Sequence, residues 1–362
     1  MPEPLDDLFN VPAERRKRAF ALAKQSNLGD FARYFTPAQQ RSLTGPLRAQ
    51  GLSDTTKRVL ENGVKAVEKI NAQGLDAPLS RDEAIGYESV VLLVDRPALL
   101  VQKDQCAPAP KPWTQPLSDG SSAISARLPK VGRIEISVGD TVREIATGFV
   151  VGDGLIMTNR HVVEIIAFPE DPSPGNQTDD TPVPWRIRQN LRPQMNFKAE
   201  HQVSDNSRIF AFTNDPIYTH PRFDLGLARI AKQSSAGIPV PAPFLLAGSA
   251  PDMAQMKDLY VVGYPAADNE NLIPKIVLDD IFGGIFEVKR LSPGELAGSL
   301  DDRGLFVHDC STLGGNSGSC VIDLNTEQVV GLHFKGRYFK ANYAIWLWKL
   351  KDFLMAQGVQ FD

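Results

Sequence analysis

From Arg133 onward the chain breaks into short apolar segments separated by turn residues, and this recurrence constrains the fold more than any other feature. Arg133-Ile134-Glu135-Ile136-Ser137-Val138 alternates with a period of two. Thr147–Val151 and Leu155–Met157 flank Gly152-Asp153-Gly154, a hairpin signature. Strand candidates recur at Arg208–Phe212, Leu225–Ile230, Leu259–Gly263, Lys275–Leu278, Gly284–Val288, Leu305–Val307, Val321–Asp323, Val329–Phe334 and Tyr343–Trp346. Many short strands with turn signals between them imply a barrel or sandwich of antiparallel sheet. Pro169–Pro184 reads as a loop insertion, and Trp348–Gln357 as a closing helix.

Upstream the pattern is different. Residues 1–75 read as helical. Pro12 suits a first helical turn, and Ala13–Gln25 is rich in helix formers. Ser53 can cap a second helix, along which Leu60, Val64, Val67 and Ile70 form an apolar stripe. Ser89–Val94 is a continuous apolar run. With the turn Asp95-Arg96-Pro97 and the run Ala98–Val101, it predicts a β-hairpin ending the region at 103. Residues 104–122 hold four prolines with Ser, Gly and Ala, and read as an extended linker. The stripe and the hairpin predict that residues 1–103 pack on the β-rich part of the chain, because such apolar faces need cover.

With 42% hydrophobic and 23% charged residues in 362, the core is ample. A net charge of −4 gives no case for a nucleic-acid partner. Residues 1–73 carry twelve Lys/Arg against eight Asp/Glu, the densest run being Arg15-Arg16-Lys17-Arg18, which reads as a solvated helix face. No apolar run reaches the roughly 18 residues of a membrane helix, so no membrane partner is expected. The acidic start, Met1–Asp7, lacks the basic region of a secretory signal, and the expectation is a cytoplasmic protein. Cys106, Cys310 and Cys320 are too few for a disulfide framework and read as free thiols, although Cys310 and Cys320 flank one loop and a bridge between them stays open.

That loop is Gly314-Gly315-Asn316-Ser317-Gly318-Ser319, between the segments Leu305–Val307 and Cys320–Ile322. Glycines on both sides can expose a serine hydroxyl and let backbone N–H groups approach a reacting carbonyl. Alone it is a weak signal. His161 follows the strand candidate Leu155–Thr158, and Asp224 opens the apolar segment Leu225–Ile230. A nucleophilic serine needs a base to take its proton and a carboxylate to orient that base. Asp205 and Asp215 compete for the last role, but neither precedes an apolar strand. His201, His220 and His308 lie in polar or loop contexts and read as surface groups. No set of His, Cys or carboxylates has metal-ligand spacing, so neither metal nor cofactor is expected.

Residues from about 130 to 358 resemble the trypsin-like, chymotrypsin-fold serine peptidases, in the bacterial branch of the HtrA-type and glutamyl endopeptidases. Thr147–Val151 with Leu155–Val163 resembles the histidine block, Asp224–Ile230 the aspartate block, and Gly314–Ser319 the serine block. The resemblance implies a mainly β protein of two six-stranded antiparallel barrels with a C-terminal helix. Barrel one would span about 130–232, barrel two about 245–347 and the helix 348–357, within a peptidase domain over 123–362. It implies Ser317 as nucleophile, His161 as base, Asp224 as its orienting acid, and the N–H groups of Gly315 and Ser317 as the oxyanion hole. Asn316 departs from the Asp of digestive relatives, so activation by insertion of a new N-terminus is not expected.

The same resemblance places Ser311 at the base of the primary specificity pocket, Thr312 beside it and His333 on the wall strand Val329–Phe334. A Thr and a His at those positions resemble the glutamyl endopeptidases, which implies an acidic P1 residue; a small, apolar or basic P1 stays open. The expected function is an intracellular serine endopeptidase acting on protein or peptide substrates. Residues 1–103 would gate or target it, through a regulatory protein partner. The competing reading is a catalytically silent peptide-binding relative, or an adaptor acting through its N-terminal region.

Overall fold

The computed structural model describes residues 53–362, except 74–76, 91, 93–95, 139–140, 171–180, 268–272 and 338–340. The readings on residues 1–52 lie outside the described residues. The first element is helix α1 (Asp54–Gln73). As expected, Ser53 caps it: the Thr56 N–H donates to Ser53 Oγ over 3.1 Å. Leu60 and Ile70 are buried and Val64 half-buried on the anticipated face. Helix α2 (Arg81–Val90) crosses α1 where Gly63 meets Gly86. A Cβ on either glycine would overlap the other helix's backbone, so both must lack one.

Here the hairpin expectation is corrected. Ser89 and Val90 close α2, and the strand is Leu99–Gln102 (β1). It turns through Lys103 and Asp104, at φ 53° and 57°, into β2 (Gln105–Cys106). Positive φ at both central residues gives a two-residue turn whose twist matches its strands. A continuous apolar run such as Ser89–Val94 does not separate strand from buried helix. The linker reading of 104–122 is also corrected. Helices α3 (Thr114–Asp119) and α4 (Ser121–Arg127) fill its second half. Trp113, Leu117 and Ile124 are buried against the barrels, so apolar anchors outweigh the proline content.

The next elements are β3 (Val131–Val138), β4 (Thr141–Gly152), β5 (Leu155–Thr158), α5 (Arg160–Ile166), β6 (Ala167–Pro169), β7 (Val183–Ile187), β8 (Arg192–Asn196), β9 (Ile209–Ala211), β10 (Ile217–Thr219) and β11 (Gly226–Arg229). They form one antiparallel sheet in the order β6-β7-β10-β11-β5-β4-β3-β8-β9. A bridge between Phe212 and Ile230 brings the chain after β9 onto the end of β11. Hydrogen bonds from Thr213 N to Arg229 O and from Ala231 N to Ala211 O flank it, at 2.9 and 2.8 Å. Ile134, Val150, Ile156, Met195, Phe210 and Ala228 fill the interior.

The second half holds β12 (Asp258–Gly263), α6 (Lys275–Phe282), β13 (Arg290–Leu300), β14 (Leu305–His308), β15 (Cys320–Asp323), β16 (Val329–Arg337), β17 (Ala341–Trp346) and α7 (Lys351–Ala356). The order β12-β15-β16-β17-β14-β13 closes by pairing β12 with β13, a six-stranded antiparallel barrel. The C-terminal helix is where the sequence places it. Two strand readings are corrected: Lys275–Leu278 lies in α6, which Gly283 ends at φ 70°, and Gly284–Val288 forms no strand.

The main core lies between the two halves. Phe149, Met157 and Leu227 meet Val262, Tyr264, Ile322 and Leu332 there. Leu99 and Val101 of β1 join them, and β1 pairs with β13 at Leu99–Leu291. The described part of the N-terminal region is thus built into the molecule. Cys106, Cys310 and Cys320 are free thiols, the last two buried.

Candidate active site

The seam between the halves brings the three blocks together. Strand β5 ends at Thr158, Asn159 stands at the N-terminal end of α5, and His161 lies in that helix's first turn. Asp224 lies two residues before β11, which pairs with β5 through Gly226–Thr158. That pairing sets the carboxylate beside the imidazole. Asp224 Oδ2 lies 2.7 Å from His161 Nδ1, and Asp224 Oδ1 accepts the His161 backbone N–H at 2.9 Å. Asn159 Nδ2 donates to Asp224 O at 2.9 Å and fixes the turn. An ionised carboxylate only accepts, so Nδ1 carries a proton, and in the neutral form of the ring Nε2 is then the acceptor. Burial raises the Asp224 pKa, but the hydrogen bonds from His161 and its charge outweigh that and hold it below the usual carboxylate range. The His161 side chain is 42% exposed.

Asp205 and Asp215 serve their own loops instead. Asp205 Oδ1 accepts from Ser207 N, and Asp215 Oδ2 from Thr213 Oγ1.

The serine loop is held from both halves. Thr147 of β4 donates its N–H to Ser317 O at 2.9 Å and its hydroxyl to Gly315 O at 2.8 Å, and the same hydroxyl accepts Tyr264 N at 3.1 Å. Thr158 Oγ1 donates to Thr147 O at 2.8 Å, which ties the histidine block into the network. Gly315 and Gly318 have φ of 83° and 86°. Side chains at these positions would strike Tyr264 O and Thr147 O, so only glycine lets the loop lie this close. Ser317 is half-buried. Among the described residues, no acceptor takes the N–H of Gly315 or of Ser317.

His333 of β16 borders this loop. It donates its backbone N–H to Ser319 O and accepts that of Gly318. The ring is buried, 3% exposed, and Nδ1 lies 3.2 Å from His308 Nε2. Burial, with a smaller contribution from the nearby His161, pulls the His333 pKa down to about 3. The hydroxyls of the two other candidates have acceptors inside the protein. Ser311 Oγ donates to Arg96 O at 2.5 Å, and Thr312 Oγ1 donates to Asn342 Oδ1 at 2.7 Å. Their donor hydrogens are committed within the protein.

The surface reading of His220 and His308 is corrected, since both are fully buried. His220 Nδ1 accepts from Arg222 N and Phe223 N and shapes the turn before Asp224. Sequence reasoning missed Thr147, Asn159, His308, Asn342 and Arg96. Thr147 stood in the histidine block, but nothing local marks a threonine that holds a loop so distant in the chain.

The family model of the trypsin-like peptidase domain matches residues 146–332, and the chain belongs to that family. The fold, with its closed six-stranded barrel, its second sheet and its C-terminal helix, is that of a trypsin-like protein. A probable serine protease of Lysobacter enzymogenes is 27% identical over 314 residues, 81% of this chain and 80% of that protein. Among solved structures, the active form of the Rv3671c protease of M. tuberculosis matches with 16% identity and a TM-score of 0.40, over 68% of this chain and 88% of that one. Its inactive form gives 17% and 0.39, over 67% and 96%. Among the described residues no group of His, Cys, Asp or Glu could hold a metal, and no helix is long and apolar enough to cross a membrane.

Proposed function

We propose that the chain is a serine endopeptidase with Ser317 as nucleophile, His161 as general base and Asp224 as its orienting carboxylate. The observation that carries this is the 2.7 Å His161–Asp224 pair, set by strand pairing beside a serine loop anchored from both halves. His161 Nε2 takes the Ser317 proton as Oγ attacks the scissile carbonyl. The N–H groups of Gly315 and Ser317 donate to the developing oxyanion. Collapse breaks the C–N bond, the amine leaves with the proton from His161, and an acyl-Ser317 ester remains. Water, deprotonated by His161, then hydrolyses the ester. An intact pair and unclaimed loop N–H groups favour this over a silent peptide-binding relative.

An acidic P1 preference rests on His333. With Nδ1 beside His308, His333 Nε2 is the atom that can face a substrate carboxylate. With a pKa near 3 the ring is neutral in the free protein, so recognition begins as a hydrogen bond from a neutral imidazole. Gating by residues 1–103 is supported by Leu313, which packs on the small core of Val59, Ile85 and Leu92 with α6. A regulatory protein that grips this region is the partner we propose, with protein substrates as the second class. Three unbridged cysteines suit the cytoplasm.

A fluorophosphonate probe tests the central claim. The full chain should be labelled at Ser317, and Ser317→Ala should be neither labelled nor active. A Ser317→Ala protein that cleaves peptide at the wild-type rate would end the assignment.

A further inference from the structure

Beyond β14 the chain leaves the barrel at Asp309 and runs without strand structure to Ser319, passing Ser311 and Thr312, which the family resemblance places at the primary specificity pocket. Cys310 and Ser311 are buried, and buried irregular backbone must find partners outside its own strand. Asn342 Nδ2 serves Cys310 O at 2.6 Å. Two more come from before the barrels. Arg96, 4% exposed, donates from NH1 to Asp309 O at 2.9 Å. Its own carbonyl accepts the Ser311 hydroxyl at 2.5 Å. One residue therefore grips the pocket segment at two points, two residues apart.

Arg96 is itself held in place. Two residues later, Ala98 O accepts Arg290 NH1, while Arg290 NH2 donates to Phe282 O and Ile285 O at the end of α6. Asp280 of α6 in turn accepts Ser53 N, Ser53 Oγ and Thr56 Oγ1 at the start of α1. Leu313 sits on the same helical core. Helices α1 and α2, α6, the 96–98 segment and the pocket segment thus form one connected unit.

We propose that Arg96 is a positioning residue for the primary specificity pocket: by clamping Asp309 and Ser311 it sets the pocket's shape from the N-terminal region, so P1 selectivity depends on a residue outside the barrels. This rests on the serine-peptidase reading. It adds a route by which a partner gripping α1 and α2 alters selectivity without touching the triad.

The test uses the full chain with Arg96→Ala, Arg96→Lys and, as a control of comparable bond loss elsewhere, Tyr260→Phe, which loses the 2.7 Å bond to Glu327. A P1-varied peptide set gives selectivity, and a small fluorophosphonate gives nucleophile competence. Arg96→Ala should lower the ratio of kcat/KM between the best and second-best P1 residue by about tenfold, mainly through KM, with labelling within about threefold of wild type. Arg96→Lys, which can still donate to Asp309 O, should recover part of the ratio, and Tyr260→Phe should leave it unchanged. Amide hydrogen exchange at Cys310–Leu313 is read on the same proteins and should quicken only in Arg96→Ala. Unchanged selectivity in Arg96→Ala, or an equal change in Tyr260→Phe, overturns the proposal. Should the wild-type chain neither label nor cleave, the peptidase reading fails on its own. The exchange data then still decide the clamp, and unchanged exchange in Arg96→Ala refutes it. Should Arg96→Ala fail to fold, Arg96→Lys carries the decision, and a profile identical to wild type in both selectivity and exchange overturns the clamp.

Discussion

Thr147 and Ser317 are joined across the seam between the two halves by a 2.9 Å hydrogen bond from the threonine N–H to the serine carbonyl. The Thr147 hydroxyl adds a second tie to Gly315 O and accepts Tyr264 N. The loop that presents Ser317 is therefore positioned by a strand of the other half. Thr147→Val keeps shape and volume but removes the hydroxyl, stranding the partly buried Gly315 carbonyl and the buried Tyr264 N–H. Each stranded group costs about 1–3 kcal/mol. We expect a lower Tm and a fall of about ten- to a hundredfold in probe-labelling rate, since the loop and not only the fold is loosened. Labelling at the wild-type rate would show that the second tie is dispensable.

Asp224→Asn tests the orienting role separately from the nucleophile. An amide beside Nδ1 can donate, which reverses the favoured imidazole tautomer and removes the Nε2 lone pair that the proposed mechanism uses as base. In trypsin-like enzymes the equivalent change costs about 10⁴-fold in kcat. We expect a loss of that order at neutral pH with KM little changed. Because the folded Asp224 pKa is depressed, its stabilisation is present above the unfolded carboxylate value and is lost as pH falls through the folded one. Acid unfolding of Asp224→Asn should lack that component, read as a flatter Tm profile below about pH 4.

His333 makes a prediction at milder pH. Its folded pKa near 3 lies below the ordinary histidine value of about 6.5. Between these values the unfolded chain binds a proton that the folded one does not. Stability is therefore full above about pH 6.5 and declines toward pH 3, at up to about 1.4 kcal/mol per unit. His333→Gln should flatten that decline in denaturant melts from pH 7 to 4. Equal slopes for the two proteins would mean that the ring protonates without cost in the fold.

What the sequence disclosed came from local signals. His161, Asp224 and Ser317 each sat beside a recognisable strand or glycine turn; His161 and Asp224 pair at the seam, to which Thr147 ties the Ser317 loop. The missed elements had their local signal reversed by distant partners. β13 carries Pro293 and Gly294, which argue against a strand. Its partner on one side changes from β1 at 290–291 to β14 at 296–300, and Pro293 lies in the gap, where no bond from its nitrogen is needed. Ile276-Val277-Leu278 reads as strand by composition, yet lies in a helix whose Val277 and Leu278 pack with Leu92 and Ile273 while Ile276 is exposed. The commitments of Ser311 to Arg96 and of Thr312 to Asn342 join positions 215 and 30 residues apart, and no local pattern reports them.

The placement of residues 99–124 yields the last prediction. A linker there would let a chain starting near Ser122 keep a working peptidase. In the fold, Leu99, Val101, Trp113 and Leu117 belong to the core between the halves, all 7% exposed or less. Burying one such side chain contributes about 1.5–3 kcal/mol, and more for tryptophan. Four together rival the whole stability of an ordinary domain, about 5–15 kcal/mol. A chain beginning at residue 123 should therefore be insoluble or molten, with no cooperative thermal transition and no probe labelling. A chain beginning at residue 96 keeps β1, β2, α3 and α4 and the Arg96 clamp, and of the described helices loses α1 and α2. It should fold, melt cooperatively at a lower Tm and label at Ser317. If the 123-start chain instead melts cooperatively and labels like the full one, residues 99–122 are peripheral and the core described between the halves does not need them.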